Sequence, residues 1–199
     1  MKTFAIAALA GFAAAATAGN TFSLSIAGAP MTVDVSGGDV TFTVDVIGDS
    51  SFGTHMLGGS FSMTSGSSLV SNMAWSNAAW SSFNTDNGYA GNGDYNSVIF
   101  GQLVIPGVPP FDQPAPGSEL GSAIGSMQIT VGGGSGVVEL ALNAGSPFSL
   151  EVLDLASGAT SQSSSGSLSL NGASINVVPA PSAMALLGLG GLVAGRRRR

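Results

Sequence analysis

The chain has 199 residues, of which 44% are hydrophobic and 8% charged; its five basic residues are Lys2, Arg196, Arg197, Arg198 and Arg199. All eleven acidic residues lie between Asp34 and Asp154, so the interior has no cation with which to neutralise phosphates, and nucleic-acid binding is excluded. Cysteine is absent, which leaves the fold to be held by its core, and the apolar fraction is too high for a disordered chain.

Residues 1–18 have the three parts of a secretory signal peptide: Lys2, an apolar run over 4–16, and the small-x-small site formed by Ala16 and Ala18. Cleavage after Ala18 leaves Gly19 as the mature N-terminus. From Thr21 onward, period-two alternation predicts strands with one buried face. Phe22, Leu24 and Ile26 open the series; Val40, Phe42, Val44 and Val46 continue it, followed by Phe61 with Met63 and Met73 with Trp75. Residues 98–105 read as a strand buried on both faces. Met127, Ile129 and Val131 follow, then Val138, Leu140 and Leu142, then Phe148, Leu150 and Val152. Leu168 with Leu170 and Ile175 with Val177 close the series. Gly, Asn, Asp and Ser cluster between these runs and supply turns. The five prolines of residues 106–117 must cross the surface. No interval has sustained helical spacing. The expectation is one all-β domain over residues 19–177, a β-sandwich or jelly roll.

Catalytic chemistry is thinly represented. His55 is the only histidine, and no G-x-S-x-G elbow is present, so a secreted hydrolase is the least favoured reading. Zinc lacks ligands. The stretch "DNGYAGNGDYN" gathers Asp86, Asn92, Asp94 and Asn96 in a Gly-rich loop. Its Asn-x-Asp-x-Asn spacing matches the start of an EF-hand, but Ser97 stands where the glycine belongs and Leu103 where the glutamate belongs. Calcium and a plain Asx turn are the two readings. Trp80, Tyr89 and Tyr95 surround this loop as candidate sugar-binding rings. On one continuous strand Trp75 and Trp80 face opposite ways, so Trp75 is expected in the core and Trp80 near a loop surface.

The chain ends in Val178, Pro179, Ala180, Pro181, an uncharged Ala/Leu/Gly stretch over 182–195, and the four arginines. As a helix the stretch extends about 21 Å against a hydrocarbon core of about 30 Å, a marginal span that arginine snorkelling lengthens. The arginines orient it with the body outside. Together with the signal peptide, this tail resembles the PEP-CTERM sorting signal in its Pro-Ala-Pro variant, with Ala180 where the name-giving motif has glutamate. That resemblance implies recognition by exosortase, a membrane-embedded transpeptidase-like enzyme that cuts near the proline motif. An uncleaved anchor in the cytoplasmic membrane is the alternative. The region around 33–46, "GSMQITV" at 125–131 and "SLSLNGASINVV" at 167–178 resemble cohesin or carbohydrate-binding-module sandwiches, which bind dockerins or polysaccharides and are not enzymes. The expected protein is thus a non-enzymatic cell-surface or extracellular-matrix component, associated with exopolysaccharide, or else a cohesin-like or carbohydrate-binding adhesion module.

Overall fold

The computed structural model describes residues 19–179. The signal peptide with its Ala16 and Ala18, and the tail from Ala180 through Arg199, lie outside the described residues. Among those described, no helix is long and apolar enough to cross a membrane.

Fourteen strands follow in chain order among the described residues: β1 Thr21–Ala27, β2 Thr32–Asp34, β3 Val40–Ser50, β4 His55–Thr64, β5 Val70–Asn77, β6 Thr85–Asp86, β7 Tyr89–Gly91 and β8 Asp94–Gly101. Then come β9 Ala123–Val131, β10 Gly136–Ala144, β11 Glu151–Asp154, β12 Ala159–Gln162, β13 Ser167–Asn171 and β14 Ala173–Val178, with one 3-10 turn at Ser163–Ser165. One sheet has the order β13-β1-β3-β9-β5. The other runs β12-β11-β4-β10-β14-β2, and β8 pairs with β4 while carrying β6 and β7. The second sheet gets its width from the length of β4. β11 pairs with its first residues, through Gly58, and β10 with Phe61–Thr64, so the two lie end to end along one side. β8 occupies the other side.

Two all-β sheets facing each other bury the alternating residues between them. Phe22 and Leu24 of β1, Val44 and Val46 of β3, and Met127, Ile129 and Val131 of β9 meet Phe61 and Met63 of β4, Val98 and Phe100 of β8, and Ile175 and Val177 of β14. Most of the predicted alternation is therefore the core itself. Two runs depart from it. The strand expected over 98–105 ends at Gly101, and Leu103 and Ile105 are exposed. Phe148, expected inside with Leu150 and Val152, is 55% exposed. β11 begins only at Glu151, so the alternation does not extend back to residue 148.

The chain ends are stitched in by the two parallel pairings. β1 lies beside β13 in one sheet and β2 beside β14 in the other. The two pairs therefore join the start of the described chain to its finish in both layers. β14 continues through Val178, one residue past the expected domain boundary, so the first residue of the proline motif belongs to the sheet.

Candidate functional site

The aromatic residues nominated from sequence do not form a platform. Trp80 is 4% and Tyr95 3% exposed, and Tyr89 is half-buried. The expectation for Trp80 fails because β5 stops at Asn77 and a turn follows, which removes the parity argument that sent it outward. Trp75 packs edge-on against Phe61 with ring centres 5.2 Å apart, and Trp80 edge-on against Phe100 at 6.1 Å. The Trp80 indole N–H donates to the Ala123 carbonyl at 3.2 Å, so its single polar atom is satisfied inside the fold. Tyr89 donates its hydroxyl to the Val70 carbonyl (2.7 Å) and accepts the Gly93 N–H (3.0 Å).

Tyr95 ties the nominated loop to the core. Its hydroxyl donates to Asp86 Oδ1 at 2.6 Å and accepts the Trp75 backbone N–H at 3.2 Å. Burial, followed by the bond to Asp86, pushes the Tyr95 phenol up to about 12.

The loop oxygens considered for calcium are likewise engaged internally. Asp86 Oδ1 also accepts the Gly88 N–H at 2.8 Å, and Asp94 Oδ1 accepts the Gly66 N–H at 3.3 Å. Asn96 donates its amide to the Asn87 carbonyl. Asn92, at φ 54°, sits between Gly91 and Gly93, both at positive φ, and forms the tight turn into β8. These contacts are those of Asx turns at the residues considered for calcium, Asp86, Asn92, Asp94 and Asn96. Among the described residues, no three His, Cys, Asp or Glu side chains gather as a metal site.

His55 is half-buried at the start of β4, its Nδ1 sharing a 2.9 Å hydrogen bond with Thr54 Oγ1. The Thr54 hydroxyl also accepts the Leu155 N–H and lies 3.3 Å from the Leu153 carbonyl. Among the described residues no serine hydroxyl bonds to this imidazole.

The feature that sequence reasoning missed is a cleft of about 490 Å³ against β4 and β8. Its lining includes the backbone of Gly58, Gly59 and Gly101. A Cβ on Gly58 would sit 2.6 Å from the Phe100 carbonyl oxygen, so glycine is required there by close approach, and one on Gly59 would meet Leu150 Cδ2 at 2.6 Å and Leu150 Cα at 3.0 Å. Phe83, Leu103 and Phe148 line the cleft and are 59%, 45% and 55% exposed. Both phenylalanines are fixed through backbone. The Phe83 N–H donates to the Gly101 carbonyl, and Ser60 Oγ donates to the Phe148 carbonyl at 2.6 Å. Among the described residues Glu151 is the one charged group in the lining; Gln102, Thr160 and Gln162 add neutral polar groups. Half-exposed aromatic rings in the lining of a cleft make a surface suited to receiving apolar side chains. The doublet Gly58-Gly59 inside an apolar strand was the available signal; the lining comes from five separated stretches, which no linear motif unites.

This architecture is shared with solved structures. The seventh ScaB type I cohesin from Pseudobacteroides cellulosolvens superposes with a TM-score of 0.53 at 15% identity, covering 82% of this chain and 96% of that one. A chain of a CaDoc0917–CaCohA2 complex gives 0.50 at 10% identity, covering 80% and 99%. At such identities the likeness is one of fold: this chain is a two-sheet β-sandwich like those of cohesins. No protein family and no curated protein sequence matches the chain.

Proposed function

We propose that the protein is a non-enzymatic binding module, exported by its signal peptide and held at the cell surface by its C-terminal tail. The cleft beside β4 and β8 is its docking surface for a protein partner. The observation that carries this reading is the pair of half-exposed phenylalanines, Phe83 and Phe148, in the lining of a cleft shared with Gly58, Gly59 and Gly101. The cohesin-like sandwich supports it, and one of the similar chains comes from a complex of two components. A partner's apolar side chain fills the cleft, and basic groups on that partner meet a body with eleven acidic and no basic residues. The tail holds the module at the membrane until an exosortase-type enzyme cuts near Val178, Pro179, Ala180 and Pro181, which delivers it to an extracellular matrix rich in exopolysaccharide.

Proteins secreted by the source cells, passed over the immobilised mature chain, supply the test. A retained protein should bind the double variant Phe83→Ala/Phe148→Ala far more weakly. Each ring hides roughly 100 Å² more on docking, worth about 2 kcal/mol or a roughly thirty-fold change in Kd. Retention indifferent to both substitutions would dismiss the cleft, and retention on polysaccharide alone would favour a glycan-binding role.

A further inference from the structure

The described chain enters and leaves at opposite ends of the sandwich. Thr21 opens β1 beside the end of β3: its N–H donates to Ser51 Oγ, its carbonyl accepts the Ser51 N–H, and Phe22 pairs with Ser50. Val178 closes β14 at the other end, paired with Asp34, its carbonyl accepting the Val35 N–H at 3.0 Å. The turn 35–39 then leads into Val40, the first residue of β3. The 11 residues of β3 separate the two ends by about 35 Å at ~3.3 Å per residue. The two apolar terminal segments thus attach to opposite poles.

The tail has almost no tether. Between Val178, held in the sheet, and Ser182, where the uncharged stretch begins, stand only Pro179, Ala180 and Pro181. Four residue steps reach about 14 Å at most, and two of the three intervening residues have φ fixed by proline.

From this we infer that the anchored body stands end-on to the membrane. The pole formed by turns 35–39 and 132–135 lies against the lipid headgroups, and the proline-rich pole is held about 35 Å away. This stance rests on the reading of residues 182–199 as a membrane segment. The near pole carries three carboxylates, Asp34, Asp39 and Asp94, the last accepting the Gly66 N–H in the adjoining turn 65–69; Ser36, Gly37 and Gly38 in one turn and Gly132, Gly133, Gly134 and Ser135 in another are small and uncharged. Contact is imposed by the short tether, since those three carboxylates have no attraction for anionic lipid. At the far pole, residues 102–117 fold back beside β4. Gln102 donates its side-chain amide to the Met56 carbonyl, and Pro106 lies against Gly158. Val108 and Phe111 are exposed there. The stance keeps these apolar side chains off the bilayer and turns the cleft's Gln102–Leu103 margin outward. While the signal peptide remains attached, the far pole is also tied to the membrane, so its removal at Ala18 is what lets the body stand.

The sequence has no cysteine, so single substitutions give unique labelling sites. Gly37→Cys marks the near pole, where a Cβ meets nothing within 4 Å, and Ala156→Cys marks an exposed turn of the far pole. The full chain, expressed and exported in a bacterium, is labelled at each site and reconstituted in phosphatidylethanolamine/phosphatidylglycerol vesicles carrying headgroup-quencher lipid. The Gly37→Cys probe should be quenched several-fold more than the Ala156→Cys probe. A twenty-residue Gly/Ser insert after Pro181, reaching about 25 Å on average, should erase the difference. Equal quenching in vesicle-bound protein without the insert overturns the stance while leaving the anchor intact. Failure to float with the vesicles overturns the anchor reading, and the stance with it.

Discussion

Replacing Tyr95 with phenylalanine removes one oxygen and keeps the ring, which makes it a clean probe of how the 86–96 loop is fastened to the core. The lost hydroxyl donates to the Asp86 carboxylate at 2.6 Å and accepts the Trp75 N–H at 3.2 Å. Asp86 is exposed and regains water, so the larger cost is the Trp75 N–H left beside a phenyl ring. A hydrogen bond to a charged group contributes roughly 1.5–3 kcal/mol, and a buried unpaired N–H costs roughly 1–3 kcal/mol. Because one hydroxyl makes both bonds, the two figures do not add, and the expected loss is about 2–3 kcal/mol. For a body of this size that lowers Tm by about 5–10 °C. Urea melts of Tyr95→Phe, Asp86→Ala and the double variant would show a coupling energy above about 1 kcal/mol. The phenol also sets an alkaline limb. Its folded pKa, pushed up to about 12, exceeds the ordinary value of 10.0, so the folded state holds this proton more tightly. The associated stability is fully present below about pH 10 and is lost as pH rises towards 12. Tyr95→Phe should lack this part of the alkaline loss. A melt within about 1 °C of the parent, together with additive Asp86 and Tyr95 effects, would refute the reasoning.

Trp80→Ala should destabilise by about 3–5 kcal/mol in a urea melt, because it empties the space against Phe100 rather than trimming a surface ring. Gly125→Ala should cost at least about 1–3 kcal/mol: the new methyl group would run into the Trp75 ring and the Ser76 carbonyl oxygen, and near-ultraviolet circular dichroism should report the displaced indole. Millimolar calcium or a chelator should leave Tm unchanged within about 1 °C, since the Asp86 and Asp94 oxygens already serve the turns around them. Ser157→Ala should return the Asp154 carboxyl towards its ordinary range in an NMR titration, because the Ser157 hydroxyl is the main group holding it low.

The strands of the central layers were legible from alternation alone. Val138, Leu140 and Leu142 of β10 and Met127, Ile129 and Val131 of β9 point inward as their spacing requires. Alternation says nothing about where a strand stops, and the departures between sequence and structure lie there. Gly101 ends β8 by handing its carbonyl to the N–H groups of Ser82 and Phe83, and no apolar count over 98–105 encodes that neighbour. Trp80 and Tyr95 misled for a related reason. Flanked by serines, asparagines and glycines, they look like surface rings, yet each satisfies its polar atom inside the fold and so is buried at little cost. The cleft was illegible because β8, the β10–β11 connection and the β11–β12 hairpin meet only when the second sheet assembles around β4.

The parallel pairs β1/β13 and β2/β14 have a consequence for biogenesis. A chain made from its N-terminus offers β1 and β2 first, but their mates are the last strands to emerge. Neither layer gains its finishing strand until about 140 residues have been made and the loop between them closed. A premature stop before Ser167 would leave β1 and β10 as open seams, each prone to recruit another chain. Completion of the fold is therefore timed by the arrival of Val178.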